Sequence, residues 1–131
     1  MQRLKNKICV VTGAARGQGR SHAVHLADEG ADVIAIDICA DIESNEYPLA
    51  TPEDLDETVN LIEKSGQRAF SAAVDVRDRS SLKATLDEAV GQLGGLHVVV
   101  ANAGIWEGAP VEKMSEKIWN KVLDANLKGT W

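Results

Sequence analysis

Three glycines, Gly13, Gly17 and Gly19, stand within the stretch VVTGAARGQGRS at residues 10–21. This stretch joins a short β-branched apolar run to a segment whose apolar residues have helical spacing. The first turn of a helix presents unpaired N–H groups and a partial positive charge, and glycine lacks the Cβ that would block an approaching anion. We therefore interpret this turn as a diphosphate site.

Two acidic residues follow later apolar runs. Asp37 comes 18 residues after Gly19 at the end of the second run, and Asp75 lies at the end of the third. An acid at the spacing of Asp37 is typical of a carboxylate that accepts hydrogen bonds from ribose hydroxyls, and we place its neighbour Ile38 in the same site. The alternative is that both acids only form turns at strand ends.

Strand and helix signals alternate along the chain. Continuous apolar runs predict buried strands at 7–12, 32–38, 69–76 and 96–101, whereas helical spacing predicts helices at 18–30, 52–66, 78–93 and from 115 onward. Thr51, Asp78 and Ser115 stand where helix caps are expected. The βαβαβαβα order predicts an α/β fold, a doubly wound parallel sheet with helices on both faces.

Composition narrows the class of protein. The chain has 131 residues, enough for one domain, and a formal net charge of −6, which disfavours nucleic acid and anionic membrane surfaces as partners. No apolar run reaches the roughly 18 residues that a membrane span needs. Cys9 and Cys39 lack metal-ligand spacing, and His22 and His25 have no third ligand nearby, so no metal is expected. We expect two buried thiols and a cytoplasmic location.

Four motifs together resemble the short-chain dehydrogenase/reductase family. They are T-G-x-x-x-G-x-G from Thr12 to Gly19, Asp75-Val76, Asn102-Ala103-Gly104, and Asn126-Leu127-Lys128-Gly129. The resemblance covers essentially the whole chain. It implies a Rossmann sheet with strand order 3-2-1-4, an oxidoreductase that acts on an alcohol or ketone with a nicotinamide cofactor, and a homo-oligomer in which the helix bearing Asn126 commonly packs between subunits.

The resemblance also implies a role for each matched residue. The backbone at Ala15, Arg16 and Gln18, together with the three glycines, would hold the phosphates. Asp37 would bind the 2′- and 3′-hydroxyls of the adenosine ribose. Asp75 and Val76 would contact adenine, and the Asn102-Ala103-Gly104 segment would border the cofactor, with Asn102 joining two strands and contacting the ribose on the nicotinamide side.

Two of these residues predict opposite cofactors. Arg16 could pair with the 2′-phosphate of NADP, whereas a carboxylate at Asp37 would repel it, at a cost of several kcal/mol in a site of low effective dielectric. Arg16 can turn toward solvent or the diphosphate, but Asp37 is held at a strand end. We therefore predict NAD.

The family's catalytic tyrosine, and the lysine four residues after it, have no match. The single tyrosine, Tyr47, is followed by Thr51 at that spacing and lies in a segment expected to be far from the nicotinamide. Only Asn126 matches, and its place on the apolar face of the last helix predicts an inward side chain; the alternative is an ordinary asparagine bonded to backbone. We expect the cofactor-binding half of a dehydrogenase, truncated before the catalytic segment and inactive alone. The alternatives are a non-catalytic dinucleotide-binding module and, less favoured by the motifs, another Rossmann-type enzyme.

Residues 39–52 (CADIESNEYPLATP) form an acidic insertion after the second strand. They are either a solvated surface loop or a flap over the adenosine end of the cofactor. Together with the glycine-rich turn, the insertion is similar to that of the carveol dehydrogenase subgroup, whose mycofactocin-linked members hold NAD so tightly that it does not exchange. The resemblance thus implies a retained cofactor.

Overall fold

A computed structural model describes residues 2–43 and 45–131 and contains a four-stranded parallel sheet of order β3-β2-β1-β4. The strands are β1 (Ile8–Thr12), β2 (Asp32–Asp37), β3 (Ala69–Ala73) and β4 (Val98–Val100). Both the α/β class and the strand order predicted from the sequence are confirmed.

The sheet register fixes the relative positions of the site residues. Ile8 of β1 pairs with Asp32 of β2, so that β2 ends one residue beyond the pair formed by Thr12 and Ile36. Asp37 at the end of β2 pairs with Ala73 of β3. All four strands are parallel, and their carboxyl ends therefore form one edge, here called the carboxyl edge, next to the glycine-rich turn.

Helices cover both faces of the sheet. Helices α1 (Gly17–Asp28) and α2 (Pro52–Lys64) pack on one face, around Val11, Ala23 and Ile62. Helix α3 (Arg79–Leu93) packs on the other face, where Val10 and Ala89 meet. Successive residues of β1 thus face opposite cores, which explains why this strand is apolar at every position rather than at alternate ones.

The predicted helix caps are present. Thr51 and Asp54 form a capping box at the start of α2, and the Asp78 side chain accepts a hydrogen bond from the Ser81 amide at the start of α3. Ser115 likewise caps α4 (Glu116–Leu123). Each cap satisfies an amide that the helix leaves without an intrahelical partner.

Three boundaries differ from the sequence-based expectation. Strand β3 ends at Ala73, so Asp75 and Val76 lie in the segment that follows it. Strand β4 has three residues, not six; among the described residues it pairs with β1 alone, and Val99 is 63% exposed. A π-helical turn (Asp124–Lys128) follows α4, and its i to i+5 hydrogen bonding displaces the apolar face that the α-helical spacing predicted.

Within the described part of the chain, no helix is both long enough and apolar enough to cross a membrane.

Candidate dinucleotide site

A cavity of about 310 Å³ opens at the carboxyl edge. All residues predicted to bind a cofactor line it except Ala15, whose side chain is buried behind the turn. These lining residues are Gly13, Arg16, Gly17, Gln18, Gly19, Asp37, Ile38, Asp75, Val76, Asn102, Ala103 and Gly104. The structure therefore brings residues from three of the four sequence motifs, together with Asp37 and Ile38, around one space.

The glycine-rich turn is packed tightly against the protein itself. A Cβ at Gly19 would lie 1.8 Å from the carbonyl oxygen of Gly13, and one at Gly13 would lie 2.9 Å from the Ala103 Cα. Gly17 has open space around it but a φ of +57°. The sequence-based interpretation was that all three glycines leave room for an anion. At Gly13 and Gly19, however, a side chain would already collide with another part of the chain, so glycine is needed there whether or not an anion binds.

Asp37 is buried at the end of β2, with 8% of its surface exposed. Its Oδ2 accepts a hydrogen bond from the Ala15 amide at 3.0 Å, and its Oδ1 accepts one from the Cys39 amide at 3.1 Å. Each carboxylate oxygen has a second lone pair, so the group can still accept hydrogen bonds from a pair of hydroxyls in the cavity.

Burial, and then the charge of Asp37, raises the pKa of the Cys39 thiol to about 11. Both cysteines are free and buried, as expected.

Asp75 is engaged by a neighbour that the sequence analysis did not single out. The Arg77 guanidinium binds the carboxylate in a bidentate manner, with Nε 3.0 Å from Oδ1 and Nη2 2.6 Å from Oδ2. Burial acts to raise the pKa of Asp75, but the hydrogen bonds from Arg77 outweigh it and hold the pKa below its usual value. Asp75 therefore stays ionised at neutral pH. Because Arg77 occupies lone pairs on both carboxylate oxygens, fewer lone pairs are left to accept hydrogen bonds from a ligand.

Asn102 and Thr12 join β4 to β1 just beyond the ends of the two strands. The Asn102 Nδ2 donates to the carbonyls of Thr12 and Gly13 at 3.0 and 3.2 Å. In return, the Thr12 hydroxyl oxygen accepts from the amides of Asn102 and Ala103. These bonds hold the Asn102-Ala103-Gly104 segment against the glycine-rich turn.

The insertion crosses the cavity. The Arg16 Nη2 donates to the Pro48 carbonyl at 2.7 Å, and Ile42, Leu49 and Ala50 line the cavity from this side. The Tyr47 hydroxyl accepts a hydrogen bond from the Trp106 amide at 2.9 Å. Tyr47 was expected to lie far from the nicotinamide; the structure places its hydroxyl against the segment that follows Gly104, because the insertion spans the gap between the ends of β2 and β4. Ser44, within the insertion, lies outside the described residues.

Asn126 lies in the π-helical turn and is an exposed residue, which corrects the expectation of a side chain buried on the helix's apolar face. The added residue of the π turn rotates the helix surface at this point. Both ends of its amide group nevertheless bond to backbone: the Ile105 amide donates to Oδ1, and Nδ2 donates to the Ile105 carbonyl, both at 2.8 Å. This geometry holds the turn next to Gly104 and is compatible with both the active-site role and the alternative of an asparagine that binds backbone.

Several residues near the site were missed by sequence reasoning. Glu107 and Lys121 form a buried ion pair between the segment after β4 and α4. Arg20 and Thr58 lie beneath the glycine-rich turn and bind its carbonyl groups. No local signal marks them, because most of their contacts join segments distant in sequence; Thr58, for example, binds the carbonyl of a residue 44 positions away. Among the residues that the structure describes, no group of three or more His, Cys, Asp or Glu side chains could hold a metal ion.

Comparison with known proteins gives matches over most of the chain. The profile of the short chain dehydrogenase family matches residues 7–131. The chain is 47% identical to (−)-trans-carveol dehydrogenase of Rhodococcus erythropolis, over 100% of this chain and 48% of that protein. The expected likeness to carveol dehydrogenases is thereby confirmed.

Two solved structures are also close. A carveol dehydrogenase of Mycobacterium avium in complex with NAD has a TM-score of 0.97 and 50% identity, with 100% of this chain and 48% of that chain covered. A short chain dehydrogenase of Mycobacterium paratuberculosis bound to NAD has a TM-score of 0.96 and 43% identity, with 98% and 48% covered. The chain spans about half the length of the relatives it matches.

Proposed function

The chain belongs to the short chain dehydrogenase family, and from this premise we propose that it binds NAD in the cavity at the carboxyl edge. The observation that carries the proposal is the buried Asp37 carboxylate, which backbone amides hold in the same cavity as the first turn of α1. The helix turn suits a diphosphate, and the carboxylate suits an unphosphorylated ribose.

The other lining residues fit the rest of a dinucleotide. Asp75 and Val76 would border the adenine, while Asn102, Ala103 and Gly104 would border the half of the cofactor that carries nicotinamide. The phosphates would lie on the backbone of Ala15, Arg16, Gln18 and the three glycines. When bound, NAD supplies the carbon that accepts or donates hydride.

In the whole protein, we propose oxidation of an alcohol or reduction of a ketone by hydride transfer. The relatives named as carveol dehydrogenases, and the NAD in two related structures, support this class of reaction. Such a step needs a proton donor or acceptor beside the carbonyl oxygen. The single tyrosine of the 131 residues bonds the Trp106 amide and has Thr51, not lysine, four residues later. We therefore expect these residues alone to bind cofactor without catalysis, with Asn126 supporting the site through Ile105.

Three further features complete the proposal. The insertion is a flap that slows the loss of bound NAD, supported by its hydrogen bonds with Arg16 in the glycine-rich turn and with Trp106 in the segment after β4. The protein forms a homo-oligomer through α4, supported by exposed apolar side chains on that helix. Its location is cytoplasmic, supported by two free cysteines.

The Asp37→Asn variant tests the choice of cofactor. The amide keeps an oxygen that can accept from the Ala15 amide but removes the charge that repels a 2′-phosphate. We expect NAD affinity to fall about tenfold or more, as for the loss of a hydrogen bond to a charged group, and NADP affinity to rise. Isothermal titration calorimetry of both cofactors gives the two affinities.

The matched control is Asp41→Asn, which removes one negative charge from the insertion, where Asp41 binds the Leu49 amide at 2.7 Å. This control should leave the ratio of NAD to NADP affinity close to that of the unmodified chain. Unchanged NADP affinity in Asp37→Asn, or an equal rise in the control, would contradict the assignment of Asp37.

A further inference from the structure

A buried hydroxyl lies directly behind the glycine-rich turn. Thr58 of α2 is fully buried, and its Oγ1 is 2.9 Å from the Ala14 carbonyl oxygen and 3.2 Å from that of Ala15. The Arg20 Nε donates to the same Oγ1 at 3.0 Å. Since the arginine occupies a lone pair of the hydroxyl, the single hydroxyl proton is left for the three carbonyl oxygens within reach, those of Ala14, Ala15 and, at 3.3 Å, Asp54. We assign it to Ala14, because that oxygen is the nearest and the other two already accept from the Arg20 Nη2.

Arg20 is itself held in place by the turn and by α2. Its Nη2 donates to the Ala15 carbonyl at 2.6 Å and to the Asp54 carbonyl at 2.7 Å. Its guanidinium therefore lies on the side of the turn that faces α2, where Nη2 donates to backbone carbonyls. The Thr58 hydroxyl and the Arg20 guanidinium together satisfy two consecutive carbonyls of the turn, Ala14 and Ala15.

The peptide between Ala14 and Ala15 connects this pair to the cavity. Its carbonyl oxygen is bound by Thr58, and its N–H donates to the Asp37 Oδ2 at 3.0 Å. A peptide unit is a rigid plane, so a bond that fixes the direction of its oxygen also fixes the direction of its N–H. Of the two amides that hold the Asp37 carboxylate, the Ala15 amide is thus aimed by a hydroxyl on the far side of the turn, whereas the Cys39 amide is not.

We propose that Thr58 is a positioning residue for ribose recognition: through the Ala14–Ala15 peptide it orients the Asp37 carboxylate toward the 2′-hydroxyl, and Arg20 fixes the direction of the Thr58 proton. The proposal rests on the proposed function, because it takes Asp37 as the group that binds the ribose. It adds a residue that contacts no part of the cofactor but sets how strongly the 2′-hydroxyl is recognised.

The test compares ADP with 2′-deoxy-ADP, titrated by calorimetry against the 131-residue chain and its variants. Both ligands carry the same base and diphosphate, so the ratio of their affinities isolates the bond to the 2′-hydroxyl. We expect the unmodified chain to prefer ADP by about tenfold or more. Thr58→Val removes the hydroxyl at nearly constant volume and should bring this ratio close to one, whereas Thr58→Ser keeps the hydroxyl and should retain the preference.

Thr58→Ala provides a second variant without the hydroxyl if Thr58→Val does not fold, and thermal unfolding of each variant checks that it is folded. A purely structural role would lower the unfolding temperature and leave the affinity ratio unchanged, and this result in either variant would overturn the proposal. An unmodified chain that binds neither ligand, or binds both equally, would instead contradict the proposed NAD site or the role of Asp37.

Discussion

Gly13, Gly17 and Gly19 share a residue type for different physical reasons. Gly19 faces the carbonyl of Gly13 at a distance that leaves no room for any side chain, whereas Gly17 faces open space but adopts a left-handed backbone conformation. A left-handed conformation costs an L-residue about 1–2 kcal/mol. A Cβ that overlaps a backbone oxygen cannot be accommodated without movement of α1 relative to β1. The same T-G-x-x-x-G-x-G pattern thus combines a strict requirement for space at Gly19, a moderate conformational preference at Gly17, and both a close contact and a left-handed φ of +67° at Gly13.

We predict that Gly19→Ala will destabilise the fold far more than Gly17→Ala. Gly17→Ala should lower the free energy of unfolding by about 1–2 kcal/mol, whereas Gly19→Ala should cost more than roughly 4 kcal/mol or prevent folding. Urea unfolding followed by circular dichroism measures both. Gly66→Ala is the matched control, because Gly66 has a φ of +83° and no atoms within 4 Å of an added Cβ. Equal losses in Gly17→Ala and Gly19→Ala would show that the Gly13 carbonyl does not limit the turn.

At the scale of elements, sequence reasoning succeeded where the signal is local. The caps Thr51, Asp78 and Ser115 act on amides within three residues, so each helix start could be predicted from a few letters. The course of the insertion depends on long-range contacts: the Tyr47 hydroxyl meets an amide 59 residues away. The π turn at Asn126 was missed because α-helical spacing carries no sign of an inserted residue.

The insertion is the element whose dynamics should govern cofactor release. We predict that Tyr47→Phe, which removes the acceptor for the Trp106 amide but keeps the ring, will speed NAD dissociation by about fivefold, as expected for the loss of a hydrogen bond of about 1 kcal/mol. Stopped-flow displacement of bound NAD by excess ADP-ribose measures the rate. Asn45→Ala serves as a control. It removes a hydrogen bond within the insertion, from the Asn45 side chain to the Tyr47 carbonyl, but leaves the bond between the Tyr47 hydroxyl and the Trp106 amide in place. An unchanged rate in Tyr47→Phe would indicate that this contact does not close the cavity.

For the whole molecule, the strand order and the positions of the cofactor motifs at the carboxyl edge could be predicted from the sequence. Which apolar side chains stay exposed on the surface could not. Two of the exposed apolar regions are β4, with Val99 63% exposed on the sheet face that α3 partly covers, and the surface of α4 and the π turn, with Trp119 57% and Leu127 66% exposed. Trp119, Leu123 and Leu127 recur every four residues, the spacing of one helix face. Contiguous exposed apolar side chains of this kind mark interfaces.

These two regions predict different modes of self-association, and one pair of variants separates them. If copies of the chain meet through α4, Leu127→Glu buries a charge in the interface and should shift the chain toward monomer in sedimentation velocity. If they meet through the apolar face at β4, Val99→Glu should do so instead. Both side chains are mostly exposed in the single chain. Neither variant should therefore change the free energy of unfolding, measured with urea, by more than about 0.5 kcal/mol. We expect Leu127→Glu to dissociate the oligomer and Val99→Glu to leave it intact, because a helix face can be shared between two copies without extending the sheet. The reverse pattern would place the contact at β4 and contradict the proposed interface at α4.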